Sequence, residues 1–442
     1  MRNKPTSLNE LLYLLQADTV ISQCKKRLKK DKDPTLYQML AVAYSLKHDH
    51  FNTFRFHENA TSLAPNDAIV HLRQGQSHVN FGETEKAREC FLKAITLNEK
   101  NTMIHRHFSA IENYQKDQTH LYQLEALAEN SNFSSQDQMH LHYALFNAYQ
   151  KIGEYAQAFS HLNQANMLKR LDIVFDINTE RTYFQMLKIN GARRSHQPSI
   201  LQGAGQKDAA CISPIFIIGM PRSGTTLMER LVAQHPDVTA GGEMPFLHRL
   251  INQALKQRRE PNLPPYTARL ADEYIALARG LGVKTTYFTD KMPTNFRYVS
   301  QICSAFPKAK IIHIHRNKMA SCFSIYSKYF SGQGNGFAYD QKELGAYHNL
   351  YENMMAHWRK LFPDQILNIE LETFTSEPSS TAERIYAFLG LEWDAKYLNL
   401  DNKMLATSTA SASQITKDIR GEISPQWEKY RPFLADLINT LN

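Results

Sequence analysis

The chain has 442 residues, 43% of them hydrophobic and 21% charged, with 51 Lys and Arg against 43 Asp and Glu and a formal net charge of +8. An ordinary apolar content with only five cysteines excludes a disordered chain, a collagen and a disulfide scaffold, and the length predicts two or three domains. The basic excess divides evenly, four in residues 1–200 and four in the rest, so it marks no nucleic-acid arm and suits a pocket for an anionic ligand.

The first twenty residues, MRNKPTSLNELLYLLQADTV, carry a short apolar stretch broken by Gln16 and Asp18, a poor signal peptide. Nowhere do 18 apolar residues run together, so no transmembrane helix is expected. Cys24, Cys90, Cys211, Cys303 and Cys322 are odd in number, far apart and without a CxxC pair, which reads as free thiols in a reducing compartment. Together these predict a cytoplasmic protein.

Residues 1–190 read as helical and repetitive. Residues 69–98 (IVHLRQGQSHVNFGETEKARECFLKAITLN) and 140–166 (HLHYALFNAYQKIGEYAQAFSHLNQAN) share one plan: an apolar-periodic helix, Gly-Glu, then a second helix with Ala and Phe at matching places. Gly82 and Gly153 lie 71 residues apart, about two periods of 34. Asp49 and SLAPN (62–66) stand one period before Glu83 and TLN, the unit near 103–132 is degenerate, and a pair near 8–31 opens the array. Four or five units follow, and they resemble tetratricopeptide repeats. Stacked helical hairpins bury one continuous core and leave a groove. That groove either holds a peptide or partner protein or only supports the second domain. The histidine pairs His48/His50, His105/His107 and His140/His142 point apart on a helix. They are expected to be solvated or at interfaces rather than to bind metal.

Residues 191–212 change to Gly, Ser, Gln and Ala, which predicts a linker before a second domain at 213–442. There, PIFIIGMPRSGTTLMERLV (214–232) predicts a buried parallel strand, a Gly loop and a helix from Thr225. That arrangement binds anions, because backbone N–H groups and the helix dipole converge at the helix start. Gly219 and Gly224 have nucleotide P-loop spacing, but Thr225 and Thr226 stand where a Lys and a Ser or Thr are required. Phosphoryl transfer by a kinase or NTPase is therefore the weaker reading, and Arg222 and Ser223 suit a short anionic group on one phosphate.

PRSGTTL after such a strand resembles the 5′-phosphosulfate loop of sulfotransferases that use 3′-phosphoadenosine 5′-phosphosulfate (PAPS). The longer PRSGTTLMERLVAQHPDVTAGGE is similar to the tyrosylprotein sulfotransferase branch and to bacterial sulfotransferases linked to tetratricopeptide repeats. The resemblance covers about residues 212–435 and implies an α/β P-loop-like fold with a parallel sheet behind the α-helical solenoid. It implies PAPS as donor, no metal, and an acceptor hydroxyl on a peptide, a protein or a small molecule.

The resemblance also implies roles for residues. Arg222, Ser223, Gly224, Thr225 and Thr226 would hold the 5′ group. KIIHIHRNKMASCFS (310–324) predicts a strand with Arg316 at its C-terminal end and Ser324 eight residues on, matching the family's 3′-phosphate pair. Glu243, in TAGGEMPFL, falls on the general base, which must take the acceptor's proton. Its other reading is an acid at a helix start, and His235 is the rival base. Lys291, 25 residues before Arg316, falls on the lysine at the bridging oxygen, its plainer reading being a surface lysine beside Asp290. Ser411, in SASQITKDIRGEISPQWEKY (411–430), falls on a further 3′-phosphate contact. Three departures stand out: Gly242 for a family Glu, Gln426 for a Lys or Arg, and Leu371 for a Tyr, with Lys417 and Arg420 placed to compensate. A binding protein built on an inactive enzyme is the third reading.

Overall fold

The computed structural model describes residues 7–13, 16–116, 118–129, 132–192, 212–256, 264–332, 334–400 and 426–442. Ser411, Lys417, Arg420 and most of the expected linker lie outside the described residues.

Helical hairpins make up most of the first part: Pro34–Leu46 with His50–Leu63, Ala68–Asn80 with Thr84–Leu97, and Ser135–Ile152 with Tyr155–Leu171, while Thr102–Ile111 and Thr119–Ala128, in the degenerate unit, both pack on Ser135–Ile152. Leu8–Tyr13 and Ala17–Leu28 precede them, and Ile177–Ala192 follows. Several first helices start on a side-chain cap that satisfies an otherwise orphaned amide. Asp33 accepts from the Thr35 amide, Asp67 from Ile69 and Ser134 from Asp137.

The turns between paired helices repeat in atomic detail. The amides of Asp49, Glu83 and Glu154 each bond the carbonyl five residues back, on Tyr44, His78 and Tyr149. Each turn needs one residue in the left-handed region. Gly82 (φ 77°) and Gly153 (φ 88°) supply it, but His48 (φ 56°) stands at the equivalent place, one 34-residue period before Gly82. His48 is exposed, so little packing offsets the strain. His48→Gly is expected to stabilise the protein by about 0.5–1 kcal/mol, read as a higher thermal midpoint. A lower midpoint would show that the imidazole makes contacts that outweigh the backbone strain.

The sequence places the repeat histidines in solvent or at interfaces; the structure corrects this for several. His105 and His120 are buried and bonded ring to ring at 2.8 Å, and His57 is buried against Ser77 Oγ at 2.8 Å. Burial pushes His57 and His120 down to about 3, which keeps them neutral. A neutral imidazole with a hydrogen-bond partner is an acceptable core residue.

The second part is built on a five-stranded, all-parallel sheet: β1 (Ser213–Ile218), β2 (Val238–Thr239), β3 (Tyr287–Asp290), β4 (Lys310–His315) and β5 (Ile366–Glu370), in spatial order β2-β3-β1-β4-β5. Ile215 pairs with Thr289 on one side and Lys310 on the other. Side chains alternate across the central strand. Ile215 and Ile217 join Ile312, Ile314, Phe374 and Ile385 on one face. Phe216 and Ile218 face a core that continues into the helical repeats, through Tyr143, Phe146, Leu162 and Phe184.

The two parts are therefore fused through one hydrophobic core. Polar links fasten the joint: Arg170 to both carboxylate oxygens of Glu343 at 2.8 Å, Asn166 Nδ2 to the Tyr326 carbonyl at 2.9 Å, and Arg297 to Glu180 at 3.2 Å. Helix Ile177–Ala192 reaches into the stretch expected to be the linker.

Candidate active site

Ligands of open parallel sheets bind at the carboxyl edge of the strands, where neighbouring crossovers part. In this sheet β1 lies at the centre, with β3 on one side and β4 on the other. Gly219 follows β1, Lys291 follows β3 and Arg316 follows β4, so three segments far apart in sequence meet at one edge.

The first segment is the loop from Gly219 to Thr226. A Cβ on Gly219 would lie 2.3 Å from the Ile314 carbonyl oxygen and 2.7 Å from Ser223 Oγ, so only glycine lets the loop fold back over β4. Arg222 (φ 68°) and Gly224 (φ 97°) both take left-handed conformations, and helix Thr225–Val232 begins there. A bulky residue in that region is strain of the kind stored at ligand clamps. Ser223 Oγ is buried with no hydrogen-bond partner among the described residues. A buried hydroxyl left so, beside the amides of a helix start, is what an oxyanion would satisfy.

The second segment carries the two residues expected at the 3′-phosphate. Arg316 follows β4, and Ser324 lies two turns along helix Lys318–Tyr326, where its Oγ accepts from Arg222 Nε at 3.2 Å. Burial and the neighbouring Arg316 pull the Arg222 guanidinium down to about 10. Arg316 is itself lowered by burial, and its nearest acid, Glu372, stands 4.0 Å from Nε, which lacks a hydrogen bond among the described residues. Two half-buried guanidinium groups repelling each other beside an unsatisfied hydroxyl make a cradle that fits a bisphosphorylated nucleotide. Glu372 escaped the sequence reading, although it directly follows Leu371; its carboxylate also accepts from the Asn317 amide at 3.1 Å.

The third segment joins Lys291 to Glu243. Lys291 Nζ lies 2.8 Å from Glu243 Oε1, with the lysine side chain 0% exposed and the glutamate 42% exposed. The surface reading of Lys291 is thereby corrected: its side chain is fully buried and pairs with Glu243. Glu243 precedes helix Phe246–Lys256 by three residues and is held by the loop before it. There Glu229, buried in helix Thr225–Val232, accepts from the Gly242 amide at 2.9 Å and from Thr289 Oγ1 at 2.7 Å, while the Lys291 amide bonds the Gly242 carbonyl at 2.9 Å. Gly242 has φ 68°, so a glutamate there would be strained, and this departure from the family pattern suits the local backbone. Burial raises Glu229 and raises Asp290 to about 7; Asp290 accepts from Tyr274 at 2.5 Å and Asn295 at 3.1 Å. Neither acid was singled out from the sequence, because only the fold brings residue 229 beside 242 and 289.

His235 lies apart from this group. Its ring packs near Tyr386 and Tyr397, and its Nδ1 accepts from the Asp237 amide at 3.1 Å, so it shapes the turn. Leu371 begins the helix after β5 and packs on the loop: a Cβ on Gly224 would meet its Cδ1 at 2.6 Å. Gln426 is exposed at the start of a short 3-10 helix.

Both parts of the chain are similar to known proteins. Residues 214–395 match the model of the sulfotransferase family, and residues 68–101 match that of the tetratricopeptide repeat. An uncharacterized protein of Aquifex aeolicus (strain VF5) is 28% identical over 377 residues, covering 82% of this chain and 48% of the relative. The protein-tyrosine sulfotransferase of Drosophila melanogaster is 24% identical over 231 residues, covering 48% of this chain and 46% of the relative. The protein-tyrosine sulfotransferase 1 of Danio rerio is 26% identical over 235 residues, covering 48% and 65%. This chain thus spans about half the length of the first two. Among solved structures, the sulfotransferase domain of the Synechococcus PCC 7002 olefin synthase aligns with a TM-score of 0.39 at 19% identity, over 52% of this chain and 94% of that one. The matches do not favour the kinase or NTPase alternative. Residues 214–395 thus resemble the sulfotransferase family, and the helical array before them matches a tetratricopeptide repeat at residues 68–101.

Proposed function

We propose that the protein transfers a sulfuryl group from PAPS to an acceptor hydroxyl, with peptide or protein tyrosine as the acceptor class. The observation that carries this reading is the meeting, at one sheet edge, of the Arg222–Thr226 loop, the Arg316–Ser324 pair and the Lys291–Glu243 pair. Similarity to the protein-tyrosine sulfotransferases of Drosophila and Danio supports the tyrosine acceptor.

In this reading the 5′ group lies on the amides and hydroxyls of Ser223, Gly224, Thr225 and Thr226 with Arg222 beside it. Arg316 and Ser324 take the 3′-phosphate, joined by Ser411 on the strength of the family resemblance. Glu243 accepts the proton of the acceptor hydroxyl as its oxygen attacks sulfur. The bond from sulfur to the bridging oxygen breaks, its electron pair stays on the 5′-phosphate, and the Lys291 ammonium stabilises that growing charge. The chemistry calls for no metal. Buried free thiols at Cys24, Cys303 and Cys322 are in keeping with a reducing, cytoplasmic setting. Among the described residues no helix is long and apolar enough to cross a membrane.

The test is binding of adenosine 3′,5′-bisphosphate, the product of the donor. A ligand of the native state present at a hundred times its Kd stabilises by about 2.7 kcal/mol. The thermal midpoint should therefore climb with this nucleotide and climb much less with ATP, which lacks the 3′-phosphate. An equal response to ATP, or no response of folded protein to millimolar bisphosphate, overturns the donor assignment.

A further inference from the structure

The turn that carries the candidate base has little rigidity of its own. It is built from Gly241 and Gly242, and glycine gives up more backbone freedom than any other residue when it is fixed. The backbone asks for glycine there. A Cβ on Gly241 would lie 2.2 Å from the Thr289 carbonyl oxygen, and Gly242 has φ 68°. With no side chains to pack, the turn must be held from outside if Glu243 is to keep one position.

Glu229 supplies that hold. The Gly242 amide donates to its Oε1 at 2.9 Å. The Gly241 amide donates to Thr289 Oγ1 at 3.1 Å, so the hydroxyl's own proton goes on to Glu229 Oε1, 2.7 Å away. Two adjacent amides thus end, directly or through one hydroxyl, on a single carboxylate oxygen. Glu229 is 5% exposed, so little water competes for these bonds. On the far side of Gly242 its carbonyl accepts from the Lys291 amide at 2.9 Å, and the Lys291 ammonium reaches Glu243 at 2.8 Å.

Glu229 also ties this turn to the donor loop. It stands four residues after Thr225 and three after Thr226 in helix Thr225–Val232, so both threonines are its neighbours on the helix surface. One short helix would therefore receive the donor at its start and anchor the base a turn later. We infer that Glu229 is a positioning residue for the transfer: its buried carboxylate fastens the Gly241–Gly242 turn to the donor-loop helix and so sets where Glu243 stands relative to the donor. This role rests on the reading of Glu243 as general base.

Hydrogen exchange and steady-state kinetics on the full chain test it with Glu229→Ala and Glu229→Gln. In the Ala variant the peptide holding Gly241 and Gly242 should exchange faster while the sheet stays protected. Turnover of sulfate transfer to a phenol should fall by about a hundredfold, the cost of misplacing a reacting group by about 1 Å. KM for the acceptor and affinity for adenosine 3′,5′-bisphosphate should change little, since Glu229 meets neither ligand. The Gln variant keeps a carbonyl oxygen for both donors and should recover slow exchange and the larger part of kcat. Glu229→Ala combined with Glu243→Gln should be no slower than Glu243→Gln alone, because displacing a base that is already absent costs nothing. Additive losses, or a lower thermal midpoint with kcat and exchange at the turn unchanged, overturn the proposal. Should Glu229→Ala fail to fold, Thr289→Val, which removes the bridging hydroxyl and keeps the branched shape, carries the test, with Thr289→Ser as the restoring variant. Wild type that binds adenosine 3′,5′-bisphosphate yet transfers to no phenol overturns the proposed function, and exchange alone then decides whether Glu229 fastens the turn.

Discussion

Glu243→Gln is expected to lower turnover by about 10²–10⁴-fold, the range for losing a positioned general base, while leaving the fold and nucleotide binding intact. The fold should survive because the Glu243 side chain is 42% exposed and its loss still leaves Lys291 near the buried carboxylate of Glu229. Nucleotide binding should survive because, in the proposed mechanism, Glu243 meets the acceptor. The loss should appear equally in kcat and in kcat/KM for the acceptor, as when an interaction made only in the transition state is removed. Acceptor acidity supplies a second readout. An ordinary phenol, with pKa near 10, depends on a base more than a nitro-substituted one, so the defect should shrink on the more acidic acceptor. Steady-state rates of sulfate transfer with both acceptors check this, and near-wild-type turnover by the Gln variant would remove Glu243 from the reaction. His235 would not then inherit the role, since its ring is packed against Tyr386 and Tyr397.

The second large effect is on nucleotide recognition. Arg316→Ala should weaken adenosine 3′,5′-bisphosphate by about ten- to a hundredfold, the value of a charge-assisted pair of roughly 1.5–3 kcal/mol. Adenosine 5′-phosphate, which lacks the 3′ group, should lose far less. Arg222 would still offer its guanidinium, relieved of the repulsion that now pulls it down. In the proposed mechanism Glu372, 4.0 Å from Arg316, would compete with the 3′-phosphate for the same cation. Calorimetry with the two nucleotides on wild type and variant decides the matter. Equal losses for both would show that Arg316 shapes the loop rather than reading the 3′-phosphate.

Much of this could be read in the sequence because it is short-ranged. The strand Ile215–Ile218, the glycines of the loop and the helix from Thr225 lie within about twenty residues, and hydrophobic period and turn chemistry act over that distance. The same holds for the paired helices around Gly82 and Gly153, where each turn is closed by a bond to the carbonyl five residues back. That Lys291 and Arg316 each follow an apolar strand was legible in the same way, while the roles expected of them came from the family resemblance.

What local pattern cannot carry is which distant groups become neighbours. Glu229 looked like an ordinary helix residue until the strand order put Gly242 and Thr289 against it. Gly191 read as linker, yet a Cβ there would lie 2.4 Å from the buried Trp358 ring, so it is a close-packed contact between the two parts. The repeat histidines were expected in solvent or at interfaces because polar composition predicts exposure on average, whereas packing among the helices of the array buries His57, His105 and His120 with partners of their own. By itself the sequence determined the helical array, the strand, glycine loop and helix around Gly219–Thr226, and the residue types of the candidate site. Tertiary structure alone decided which buried charges face one another, because that depends on the global packing of apolar faces and not on spacing along the chain.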